Sequence, residues 1–189
     1  MKKTIIIIII IFVSVGLGYA YERVTVEIEK RRHPIPKEYQ EFVEKYSFEY
    51  SVPQWTIYGV IKAESSFRSD VVSDKGAVGL MQITPDTFDW LMTKTKETLD
   101  GRLLYDPETN IKYGTFFLRY LYAEFDSWDT AFAAYNAGRG NVNNWLKNPQ
   151  LASNNQLIIE NIPIEETRNY VKKVNNNIDI YKKLYFSSK

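Results

Sequence analysis

The sequence contains no cysteine. That excludes disulfides, thiolate nucleophiles, thiolate-held metals and lipid attachment through an N-terminal cysteine. Histidine is almost as scarce: the single one, His33, lies in the segment KRRHPIPKEY, ahead of the region that reads as the globular core. A Ser-His-Asp triad and a multi-histidine metal site therefore both lack parts, and His33 is expected to be an exposed linker residue. An excess of charge of one sign is missing too. At a formal +1 the chain offers no electrostatic case for nucleic acid as its main partner. Beyond residue 37 there is no alternating strand pattern longer than four residues, no internal repeat and no low-complexity tract. What is present is 189 residues, 44% hydrophobic and 15% aromatic, enough for one packed domain with a short leader.

One long apolar run exists, at the N-terminus. MKK is a short basic region, TIIIIIIIFVSVGLG follows, and GYA ends it with small residues. This pattern fits a secretory signal cleaved after Ala20. Ile5 to Ala20 is also only slightly short of the roughly 17–25 residues that span a bilayer, so an uncleaved anchor over residues 4–20 stays open. Either way the domain is exported, to the periplasm or cell envelope. The expected organisation is a signal peptide or N-terminal anchor over residues 1–20, a linker or membrane-proximal stalk over 21–36, and a helical domain over 37–189. The domain is expected to be a monomer.

Within that domain the local signals are helical. KEYQEFVEKYSFEYS reads as a short amphipathic helix, and Ser51 with Pro53 marks the start of the next, PQWTIYGVIKAESSF. Thr84, Pro85 and Asp86 form an N-cap, an N1 proline and an acidic first turn. Asp106, Pro107 and Glu108 repeat the device, and Ser127 caps a further helix that Gly138 stops. Gly114, inside the Asp106-capped helix, is expected to let another helix come close. GNVNNWL reads as a short helix, KNPQLASNNQ as a loop, and a long last helix starts near Pro163 with the stripe Tyr170, Val174, Ile178, Tyr181 and Tyr185. A small hairpin or irregular loop is expected near residues 73–83.

Glu64 is the awkward residue. It follows Ile57, Val60 and Ile61 by seven, four and three residues, which puts it on their face of the helix. Desolvation and the negative end of the helix dipole both disfavour its charged form. A carboxylic acid kept protonated near neutral pH can donate a proton. A glutamate at the edge of the stripe, reaching solvent, is the open alternative on this helix alone. The following loop, SDKGAVGLMQITP, tilts the balance. Gly76 and Gly79 permit a tight turn and close backbone approach, and Gln82 adds a neutral amide beside Leu80 and Met81. Neutral amides and hydroxyls near aromatic rings suit sugars, although core packing accounts for most of the 14 tyrosines.

AESSFRSDVVSDKGAVGLMQITP, NIKYGTFFLRYL, AFAAYNAGRGNV and IPIEETRNYVKKV together resemble, in order, the motifs of soluble lytic transglycosylase catalytic domains of the lysozyme-like superfamily. The resemblance runs from about residue 48 to 185. It implies a mainly α, lysozyme-like domain acting on the glycan strands of peptidoglycan. The bond cleaved would be the β-1,4 linkage between N-acetylmuramic acid and N-acetylglucosamine, with a 1,6-anhydromuramyl end formed. No metal or cofactor is implied. The Glu-Ser pair of the first motif falls on Glu64 and Ser65, which makes Glu64 the catalytic acid and then base. Ser73, Gln82, Tyr135, Asn136 and Glu166 fall on substrate-site positions.

The residues add expectations of their own. Tyr135 is a buried phenol able to hydrogen-bond Glu64. Glu166, in the first turn of the last helix and four residues before Tyr170, should be ionised by the dipole; a helix-start glutamate with an electrostatic role only is equally open. Asn136 beside a capping glycine could serve only the backbone, and Asp74, Asp86 and Asp89 fit turns and helix starts. Arg139 and Thr84 depart from the family pattern, standing where proline and a second methionine are common. Two other functions remain open: a hydrolytic muramidase of the same fold, and a non-catalytic wall-binding or secretion-assembly module.

Overall fold

The structure is a computed structural model that describes residues 2–187, with the side chains of residues 2–6 and 8–10 outside the described set. The chain divides into two units, Met1–Pro34 with Ser187–Lys189, and Ile35–Phe186. In the first, α1 (Lys2–Arg32) is one continuous helix whose last turn carries Lys30, Arg31 and Arg32, the charge sign that suits a helix C-terminus. The segment expected as a linker is thus helical through Arg32. His33 is half-buried rather than exposed, its Nδ1 3.5 Å from Glu29 Oε2. The signal or anchor expectation falls in part on side chains outside the described set. Among the described residues no helix is long and apolar enough to cross a membrane.

The second unit contains α2 (Lys37–Tyr50), α3 (Gln54–Glu64), α4 (Pro85–Thr95), α5 (Pro107–Phe125), α6 (Trp128–Ala137), α7 (Arg139–Trp145) and α8 (Glu165–Tyr181). The caps read from sequence form: the hydroxyl of Thr84 accepts from Thr87 N, the carboxylate of Asp106 from Thr109 N, and the hydroxyl of Ser127 from Thr130 N. Ser51 plays a different part. It is the left-handed C-cap of α2, at φ 53°, and α3 starts at Pro53 without a side-chain cap.

α3 is the central element. It packs along α8, while α5 lies against both α2 and α6. Seven of its residues, Thr56 to Ile61 and Ala63, are buried, so apolar burial surrounds the helix rather than forming one stripe. Gly59 makes the α3–α8 approach possible, because a Cβ there would sit 2.6 Å from Ile178 Cγ1 and 3.2 Å from Ile178 N.

One expectation about loops is corrected. The strand pair is β1 (Ala152–Ser153) with β2 (Gln156–Leu157), inside the segment read as a plain loop. Asn154 and Asn155 turn it, both with positive φ, as a two-residue hairpin requires. Residues 72–83 form the irregular loop expected there, tied by isolated bridges from Val72 to Val78 and from Val78 to Ile83. Gly114 admits not a helix but the side chain of Met81, whose Cβ would lie 2.7 Å from a Cβ at residue 114.

Candidate active site

α3 ends at Glu64 because the chain then turns through Ser66 and Phe67, both at positive φ (51° and 66°). Consecutive left-handed non-glycine residues are unfavourable and are retained here by packing: the Phe67 ring sits 6.3 Å from those of Tyr58 and Tyr181. Ser65 is buried and its hydroxyl donates to Leu80 O at 2.9 Å, pinning the next loop to the end of α3.

That loop is a backbone cradle. Ser73 Oγ accepts from Ala77 N at 3.0 Å, and Gly79 N donates to Val71 O at 2.9 Å. Gly76 and Gly79 have φ of 74° and 77°, where a side chain would be strained. Buried Asn110 of α5 holds the cradle from below. Its Oδ1 accepts from Met81 N at 2.7 Å, and its Nδ2 donates to Val78 O and Leu104 O at 2.9 and 3.0 Å. Gln82, itself left-handed, gives both Nε2 protons to Gly79 O and Val71 O. The two carbonyls fix the amide's orientation and leave Oε1 for a ligand.

The loop, the end of α3, the end of α6 and the start of α8 enclose a cleft of about 320 Å3. It is lined by Glu64, Ser73, Asp74, Lys75, Ala77, Gln82, Thr84, Tyr135, Asn136 and Glu166. All six residues singled out from sequence are therefore brought together. Asp74, Lys75, Ala77 and Thr84 are additions; Lys75 and Ala77 carried no signal beyond their place in the glycine loop.

Glu64 is half-buried at the cleft floor. Burial pushes its carboxyl up to about 7, against the opposing effects of a hydrogen bond from Tyr170 and the nearby Lys173 charge. The Tyr170 hydroxyl donates to Glu64 Oε1 at 2.6 Å, and Lys173 Nζ donates to Ala63 O at 2.7 Å. Three residues apart on α8, the two reach the same end of α3, and the ammonium offsets the dipole there.

By sequence Tyr170 belongs only to an apolar stripe, and Tyr135 is the phenol expected on Glu64. The structure exchanges them: the Tyr135 hydroxyl donates to Met81 O at 2.7 Å. Burial, with Glu64 close by, pushes both phenols well above their ordinary range, so both stay protonated donors. Asn136 does not serve the backbone. Its Oδ1 accepts from Thr167 Oγ1 at 2.7 Å, which leaves Nδ2 as a donor. Glu166 is exposed at the rim rather than on the buried stripe, 3.8 Å from Lys75 Nζ, and Asp74 is exposed as well.

A family profile described as "Transglycosylase SLT domain" matches residues 41–158. The soluble lytic murein transglycosylase of Escherichia coli strain K12 is 38% identical over 144 residues, covering 74% of this chain and 22% of that protein. The membrane-bound lytic murein transglycosylase C of Edwardsiella ictaluri is 29% identical over 179 residues, 83% of this chain and 49% of the relative. Among solved structures, the 70-kDa soluble lytic transglycosylase of E. coli superposes with a TM-score of 0.75 at 32% identity, over 84% of this chain and 26% of that one. An inactive mutant of the lytic transglycosylase Slt from Pseudomonas aeruginosa gives 0.74 at 31% identity, over 85% and 26%. The chain thus spans only 22% of the length of the E. coli enzyme. The fold is the mainly α, lysozyme-like one that the motifs implied. With the profile spanning more than half of the sequence, from α2 through the β1–β2 hairpin, the chain belongs to the transglycosylase SLT-domain family.

Proposed function

We propose that this protein is a peptidoglycan lytic transglycosylase of the cell envelope and that Glu64 is its catalytic acid and then base. One observation carries the reading. The cleft holds a single half-buried carboxyl, raised to about 7, while the other two acids on its wall, Asp74 and Glu166, are exposed. Glycosidases of the two-carboxylate kind need a second acid at a set separation. A reaction whose nucleophile is the substrate's own hydroxyl needs one.

Protonated Glu64 gives its proton to the glycosidic oxygen as the bond to muramyl C1 breaks. The resulting carboxylate then takes the proton of the muramyl C6 hydroxyl as that oxygen closes onto C1. Glu64 ends protonated, no water is consumed, and the products are a 1,6-anhydromuramyl end and a free C4 hydroxyl. Tyr170 holds Oε1 and leaves Oε2 to face the bond. The Ser73 hydroxyl and Asn136 Nδ2 are placed to donate to acetamido and ring oxygens, and Gln82 Oε1 to accept from a sugar hydroxyl. Tyr135, whose hydroxyl is committed to Met81, contributes its ring as a wall.

Mass spectrometry of material released from purified peptidoglycan by a chain lacking residues 1–20 tests this. Anhydromuramyl ends are expected, and reducing ends would instead identify a hydrolase. Glu64→Gln should abolish release while leaving glycan binding intact; full activity in that variant would sink the mechanism.

A further inference from the structure

Arg139 opens α7, and its side chain is held by rings and an acid outside the cleft. Its guanidinium lies over two rings, 5.2 Å from the Trp90 centroid and 5.1 Å from that of Tyr120. Its Nε donates to Glu124 Oε2 at 2.6 Å, and Asn143 Nδ2 donates to Glu124 Oε1 at 3.3 Å. The two Nη groups have no partner among the described residues. A second cation, Lys94, lies over the same indole at 5.4 Å. The rings are also held edge to face, Trp90 to Tyr120 at 5.0 Å and Trp90 to Phe117 at 5.9 Å.

This ledge adjoins the cleft. Phe117 stands 5.0 Å from Tyr135, which lines it. Thr84 caps the helix that carries Trp90, and Asn136 lies one turn of chain before Arg139. The ledge is unsuited to stacking a neutral sugar, because cations already lie over its largest ring. It suits an anion. The indole and phenol attract the cations electrostatically, Glu124 fixes one edge of the guanidinium, and the other edge is a planar donor pair matched to a carboxylate.

We propose that Trp90, Tyr120, Arg139 and Lys94 form a carboxylate-binding ledge that holds the acidic peptide borne by a muramyl residue lying in the cleft. The inference rests on the reading of the cleft as a muramyl-glycan site. A lactyl-linked peptide leaves the sugar sideways, and Arg139 lies beyond the Tyr135 wall, two ring contacts from the cleft. Neutral glycan alone offers this ledge no matching group.

The test is binding, which is independent of turnover. The full chain carrying Glu64→Gln is titrated calorimetrically with N-acetylmuramyl-alanyl-glutamate and with the same compound amidated at its carboxyls. The acid form should bind roughly tenfold more tightly than the amide, the scale of one charge-assisted bidentate contact. Adding Arg139→Gln should abolish that preference. Lys37→Gln, which removes the same charge from the start of α2, should leave it intact. Far-UV circular dichroism and thermal melting check that the Arg139→Gln protein is folded; Lys94→Gln, on the exposed face of α4, supplies a second variant, expected to weaken the preference. Equal affinity for acid and amide, or a preference that survives both substitutions, overturns the ledge. Failure of the parent chain to release anhydromuramyl products while the acid preference holds would overturn the catalytic reading and leave the ledge standing.

Discussion

Glu64 carries opposite demands on charge, and they give it measurable pH behaviour. Its folded carboxyl titrates near 7, against 4.5 for the free group. Between those values the folded protein holds more protons than the unfolded chain, so stability falls as pH rises through this window and levels off above about 7. The loss is bounded by about 3 kcal/mol. Glu64→Gln removes it. Chemical denaturation should therefore show the variant gaining stability over the parent at pH 8 and little at pH 4; an equal gain at both would contradict the assignment. Tyr170→Phe tests the hydrogen bond. The donated bond lowers the carboxyl, so its loss should raise the pKa further. The alkaline limb of kcat/KM, set by loss of the acid's proton, should then move to higher pH, and a shift to lower pH would refute the placement of Tyr170. Glu64 was legible because helical spacing alone puts it with Ile57, Val60 and Ile61. Tyr170 was not, because its hydroxyl meets a carboxylate 106 residues away and nothing local distinguishes it from a core tyrosine.

Elements divide the same way between local and distant causes. The caps at Thr84, Asp106 and Ser127 were readable because a cap is a contact within one turn. The hairpin at Asn154 and Asn155 carries a local signal too, two adjacent asparagines suited to left-handed backbone, although the polar residues around them are equally those of a plain loop. The glycine cradle depends on Asn110, which is on another helix. Asn110→Ala would leave Met81 N and Leu104 O without their partner and Val78 O with Ile83 N as its remaining donor, and equilibrium unfolding should register a loss of about 2 kcal/mol or more. Gly59→Ala should also destabilise, by about 1–3 kcal/mol, since the added methyl overlaps Ile178 and its backbone. Thr115 works in reverse. Its hydroxyl is buried without a partner among the described residues, so Thr115→Val should raise stability by about 1 kcal/mol; a loss would reveal a partner that the geometry does not show.

At the scale of the molecule, Ile35–Phe186 forms one unit with its own core around α3. A chain lacking residues 1–34 should give a single cooperative denaturation curve, and two resolved transitions would contradict one core for Ile35–Phe186. The sequence by itself determined the helical class, most helix starts and stops, the awkward glutamate and the ordered motifs, because these rest on spacing, turn chemistry and composition along one stretch of chain. Only the tertiary structure decided that α3 is buried all round, that Tyr170 rather than Tyr135 bonds Glu64, that Gln82 spends its amide protons on the loop, and that Arg139 stacks on Trp90 and Tyr120. Each of these depends on which surfaces of distant segments meet. Burial and hydrogen-bond partners at such contacts are set by packing between helices, and no periodicity within one helix encodes them.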